Sequence, residues 1–167
     1  MSRHWLTCVA ISAALCAPAF SADDKADSKP AEAETRKRQY ETVQKELEAS
    51  RPTEGASREE IITYLELAKD GYGKFAKDNP KTAEGFEAAL RLADLLTQTR
   101  HPEALKYAEL ATEAAPTAGI DMKRVAMSHG LVAVNKLGTE DLEGARAAIE
   151  KIKDIDAETY EQYSKGL

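Results

Sequence analysis

The residues Ala68, Tyr72, Phe75 and Pro80 recur as Ala104, Ala108, Ala111 and Pro116, each displaced by 36 residues. Small side chains let two helix backbones approach closely, larger ones fill the wider gaps, and proline ends a helix. A pattern of that period is what a stack of antiparallel helix pairs requires. It predicts an all-α chain, a short right-handed α-solenoid of roughly six helices closed by a short terminal one. A degenerate third copy, Ala145, Ile149, Ile152 and Ala157, follows 41 residues after the second and has lost its proline. Stacks of this kind present one continuous face to partners, so the expected function is binding.

Local signals place the helices. Tyr40, Val43 and Leu47 recur at helical spacing and predict a first helix over 35–49, ended by Ser50-Arg51-Pro52-Thr53-Glu54-Gly55. Ser57 and Glu60 form a capping box that starts a second helix, with Ile61, Leu65, Ala68, Tyr72 and Phe75 on its stripe and Asn79-Pro80 as its stop. Thr82 caps a third, carrying Phe86, Ala89, Leu90, Ala93 and Leu96. His101-Pro102 opens a fourth, stopped at Pro116, and a fifth is predicted over 119–137 with Gly138 closing it. A sixth follows Thr139, and Tyr160 and Tyr163 sit on a short last helix expected to cover the end of the stack. No window alternates like a strand.

The N-terminus has a different character. Arg3 and His4 precede an apolar run from Leu6 to Ala17, with small residues at Ala17, Ala19, Ser21 and Ala22. This is the layout of a secretory signal, residues 1–22, with cleavage after Ala19 or Ala22. The run is too short to span a bilayer. Both cysteines, Cys8 and Cys16, leave with the signal, so the exported chain has no thiol for disulfides, metal ligation or redox chemistry. The bulky Leu15 directly before Cys16 does not suit lipid attachment. Residues 23–34 carry no large apolar side chain and are expected to form a disordered polar linker. The helical-repeat domain is then 35–167, periplasmic or secreted.

The whole chain has 23 basic and 29 acidic residues, a net charge of −6. Its one basic cluster, Arg36-Lys37-Arg38, is flanked by Glu32, Glu34 and Glu41, so no nucleic-acid interface is expected.

The stretch from Ala68 through Tyr72, Phe75 and Pro80, followed by Thr82-Ala83-Glu84-Gly85-Phe86-Glu87-Ala88-Ala89-Leu90-Arg91-Leu92-Ala93, resembles tetratricopeptide repeats of the periplasmic kind. Similar repeats occur in outer-membrane assembly lipoproteins, in Tol-Pal-associated coordinators, and in helical regions of secreted TlpA-like thioredoxin-fold proteins. The resemblance covers roughly 58–157, without the Trp and Leu-Gly of the repeat consensus. It implies a non-catalytic scaffold for a protein or peptide partner in the cell envelope. The alternative is a helical accessory module of a TlpA-type redox system whose chemistry another domain or protein supplies.

Signals for catalysis, cofactors and metals fail one by one. Asp154-Ile155-Asp156-Ala157-Glu158 begins like a calcium loop, but Thr159 and Lys165 stand where glycine and glutamate are required. Gly71-Tyr72-Gly73 lacks a preceding strand and a third glycine, so its glycines are expected to admit a neighbouring helix, not a phosphate. His101 and His129 have no partner at metal-ligand spacing. No enzyme, cofactor or metal is expected.

The candidate binding residues lie on the first helix of successive repeats: Phe86, Ala89, Ala93 and Leu96, then Met127, Gly130, Val134 and Leu137. An apolar stripe at concave positions forms a groove for a partner helix or peptide. A loop-length difference that rotates the register would instead place the stripe in the core, and Arg91 and Lys136, at normally buried positions, weigh toward that reading.

Overall fold

A computed structural model describes residues 24–165; the expected signal and both cysteines lie outside the described residues. The described chain is all-helical, without a strand. Its elements are α1 (Asp24–Ala49), α2 (Arg58–Ala68), a π turn (Lys69–Gly73), α3 (Lys74–Asp78), α4 (Ala83–Gln98), α5 (Ala104–Ala118), α6 (Met122–Gly138), α7 (Leu142–Lys153) and α8 (Ala157–Ser164).

Helix starts follow their capping residues. Ser57 Oγ accepts from the Glu60 amide at 3.2 Å while Glu60 Oε2 accepts from the Ser57 amide at 2.7 Å, so each side chain satisfies an orphan donor of the first turn. Thr82 Oγ1 accepts from the Gly85 amide at 3.1 Å and Asp141 Oδ1 from that of Gly144 at 2.9 Å. A β-carbon at Gly85 would collide with the carbonyl oxygen of Asn79, so the tight turn into α4 requires glycine.

Three boundaries depart from the sequence reading. The first helix begins at Asp24 and runs through Pro30, where a polar linker over 23–34 was expected. Ala and Glu propagate a helix without apolar support once it is nucleated. The Thr35 hydroxyl donating to Ala31 O at 2.8 Å and the Arg38–Glu34 pair at 3.2 Å add local ties. The second expected helix is broken by the π turn, which contains Gly71 and Gly73. Pro116 does not stop α5, which continues to Ala118 and ends at Gly119 in the left-handed region, φ 62°.

The core is built along an alanine seam. Ala68, Ala89, Ala93, Ala104, Ala108 and Ala111 are buried, so the small residues of both strong repeat copies lie at helix contacts. Phe86, Leu92 and Leu96 fill the space between them. Tyr40 of α1 stacks obliquely on Phe75, ring centroids 5.4 Å apart, and on Tyr72 at 6.2 Å, which ties the first helix to the next pair. Burial pushes the Tyr40 phenol up to about 12, with Arg91 working against the shift, so it stays protonated. Ser128, fully buried, donates to Val125 O at 2.7 Å.

Sequence neighbours pack together: α3 on α4, α4 on α5, α5 on α6, α6 on α7 and α7 on α8. A second set of contacts skips one element, joining α1 to α4 across the broken helix, α4 to α6, and α6 to α8. Among the described residues no helix is long and apolar enough to cross a membrane.

Candidate functional site

The face shared by α1, α4, α6 and α8 is joined by polar pairs from helix to helix. Arg36 donates to Glu84 at 3.0 Å, linking α1 to α4. Arg124 grips Glu87 with two nitrogens, Nε to Oε1 at 2.7 Å and Nη2 to Oε2, linking α4 to α6; a bidentate guanidinium–carboxylate pair sets orientation as well as distance. Further along the same two helices, Asn135 Nδ2 donates to Thr97 Oγ1 at 2.7 Å. Lys123 and Glu158, 3.1 Å apart, link α6 to α8. These exposed or half-exposed ties hold the register of the helices more than they add stability.

The eight candidate binding residues do not form one groove. Phe86, Ala89, Ala93 and Leu96 are each 0 % exposed and belong to the core of α4. On α6 the buried positions are Ala126, Ser128, Gly130, Leu131, Val132 and Ala133; of the expected stripe only Gly130 is buried, whereas Met127 and Val134, each one residue beyond a buried alanine, turn outward at 40 % and 41 % exposure and Leu137 is half-buried. A rotation of about 100° per residue separates the inward and outward stripes. Arg91 is exposed and Lys136 half-exposed, so neither is a core position here.

Gly130 is covered from the other side. A β-carbon there would overlap the ring of Tyr163, which shows that α8 lies flush on α6 at this point. Burial, with Asp94 adding a smaller effect, raises the Tyr163 phenol above its ordinary range.

Met127 and Val134, two turns apart on one stripe, open onto separate hollows. Met127 lines one of about 240 Å³ between α6 and α8, with Lys123, Asp156, Glu158 and Tyr163. Val134 lines another of about 460 Å³ at the C-terminal ends of α4 and α6, with Thr97, Arg100, His101, Asn135 and Thr139. In this larger hollow Asn135 spends its amide donors on Thr97 Oγ1 and Leu131 O, which leaves Oδ1 as acceptor. His101 Nδ1 accepts from the Glu103 amide at 3.2 Å, so the proton of the neutral ring sits on Nε2. One donor, one acceptor and an apolar side chain suit a peptide group with its side chain. Sequence reasoning missed Thr97, Asn135 and Thr139, since a hydroxyl or amide on a helix is ordinary surface until a neighbouring helix faces it.

The remaining chemistry-bearing residues have structural settings. Gly71 lies against α1, where a β-carbon would meet Val43 Cγ1 at 3.0 Å, and one at Gly73 would meet the Tyr107 hydroxyl at 2.8 Å. The G-x-G stretch thus lets helices approach, as its lack of a strand implied. Burial, helped by Lys151, lowers the His129 pKa below its ordinary value. Among the described residues no cluster of three or more His, Cys, Asp and Glu is placed to hold a metal. No protein-family model matches the chain, and no curated protein or solved structure matches it.

Proposed function

We propose that the protein is a non-catalytic scaffold of the cell envelope, a short right-handed stack of antiparallel helix pairs that binds a protein or peptide on its α6 face. The stack is supported by the skip-one contacts α1–α4, α4–α6 and α6–α8, the pattern produced when first helices of successive pairs lie side by side. The observation that carries the binding role is the pair Met127 and Val134, exposed apolar side chains on one stripe, each opening a hollow with polar lining. A partner burying both would contact the helix-to-helix ties beside them, so its pose would depend on the register those ties impose. The signal-like layout of residues 1–22 is what supports export and an envelope location.

The experiment compares the exported chain with Met127→Asp and Val134→Asp for partners recovered from envelope extract. Both residues are exposed, so the variants stay folded, as circular dichroism melts check. Loss of the same partner in both variants supports the reading, and unchanged recovery in two folded variants refutes it.

A further inference from the structure

We propose that the seam between α1 and α2 is a second docking surface, a groove for a cationic amphipathic helix; it rests on the reading of the chain as a binding scaffold but uses a different face. Two hollows, of about 500 and 230 Å³, run along this seam and share one residue, Leu67. Leu67 is 40 % exposed, and Tyr64, Pro52 and Val43 beside it are half-buried, so the groove has an apolar track. Gly71 lies at its inner end, where the missing side chain lets the π turn that follows α2 approach α1.

The rims decide the partner's charge. Glu46 and Asp70 border the inner hollow, Glu59 and Glu60 the outer one. Among the described residues none of these four has a basic partner within ion-pair distance. Arg51, which lines the outer hollow, pairs with Glu48 at 3.8 Å, and Lys69 pairs with Glu66 at 3.3 Å and Glu103 at 3.0 Å, so one basic side chain stands against four acidic ones on the rims. Glu60 spends one carboxylate oxygen on the Ser57 amide but keeps its charge, so four carboxylates without a basic partner surround the apolar track; they attract a segment with basic residues flanking apolar ones and repel an acidic one. A second copy of this chain, net charge −6 with the same acidic rim, does not fit.

The backbone decides its conformation. The seam lies between two helices and offers no strand edge, so an extended segment would leave its own N–H and C=O groups facing apolar side chains. A helix brings its hydrogen bonds with it and lays one stripe along the track.

The test titrates the full chain with a synthetic Lys/Leu peptide whose leucines follow i, i+3, i+4, i+7 spacing, and with a shuffled peptide of the same composition. The patterned peptide is expected to bind more tightly than the shuffled one, and less tightly as salt rises. Leu67→Ser, which leaves the charge unchanged, is expected to weaken binding about tenfold or more, because an apolar side chain loses its partner. Leu67→Met restores most of it. Ile62→Ser is the control: Ile62 is exposed on the same helix but does not line the groove, and its loss leaves affinity unchanged. Equal binding of the two peptides, or a folded Leu67→Ser chain that binds as the parent does, overturns the proposal and shows only attraction to an acidic protein. The Met127 and Val134 variants report on the scaffold separately: if they still lose their partner when Leu67→Ser changes nothing, the seam alone is refuted.

Discussion

The two ends of the described helical chain handle the same problem in opposite ways. At the C-terminal end α8 lies across α6, the ring of Tyr163 occupies the space above Gly130, and Lys123 pairs with Glu158. At the N-terminal end the π turn after α2 meets α1 at Gly71, yet Leu67 remains exposed and four rim carboxylates have no basic partner among the described residues. Both seams depend on a glycine, but a β-carbon at Gly130 would overlap three atoms of an aromatic ring, whereas one at Gly71 would only touch Val43 and Leu47. A glycine in a helix therefore says that something approaches closely. Only the identity of the approaching group says whether the seam is closed.

The largest expected effect separates core from surface on α4 and α6. Leu96→Asp puts an ionised group into a fully buried site and is expected to abolish cooperative folding, while Val134→Asp leaves the melt nearly unchanged. If both chains melt alike, the assignment of α4 to the core fails. Next comes Phe75→Ala, which removes the ring that Tyr40 rests on and is expected to cost about 3–5 kcal/mol by denaturant titration. A midpoint equal to the parent's would mean that α1 is not anchored there.

Gly130→Ala tests the closed end. The new methyl has no space beneath Tyr163, so a loss of about 1–3 kcal/mol is expected, with hydrogen exchange rising in α8 and not in α4. Adding Tyr163→Ala relieves the clash, and the double variant loses less than the sum of the two. Strict additivity would separate the two residues. Gly71→Ala tests the other end and has the smallest effect of the series. Val43 can give by a few tenths of an ångström, and the change gains about 1 kcal/mol of helix propensity, so stability shifts little in either direction. A loss as large as that at Gly130 would erase the contrast between the ends.

Acid is expected to weaken the α6–α7 region. His129 has a lowered pKa in the folded chain, so the unfolded chain binds its proton first as pH falls. Its contribution is complete above the ordinary histidine value, is lost progressively as pH drops from there to the folded pKa, and does not change below that. In His129→Gln the slope of stability against pH over this window is expected to flatten, as melts across that range will show.

The spacing of Ala68, Ala104 and Ala145 was sufficient to locate helix contacts, because only a small side chain fits where backbones approach, whatever the neighbour. Ser57, Glu60 and Thr82 were likewise legible as caps, since a cap is a bond within a few residues of chain. Which side of α6 faces inward was not. Met127, Gly130, Val134 and Leu137 are all apolar or small, and a one-residue change of register exchanges the inward stripe for the outward one without altering any local preference. The continuation of α5 through Pro116 and the π turn at Gly71 and Gly73 were hidden too, as neighbouring helices can override a local stop or insert a residue into a turn. Sequence determined the all-helical class, the caps and the alanine seam, whose causes act over one or two turns. Tertiary structure alone decided that the α4 stripe is core, that Tyr163 closes one end over Gly130, and that Leu67 stays exposed at the other, because each depends on residues from helices far apart in the chain.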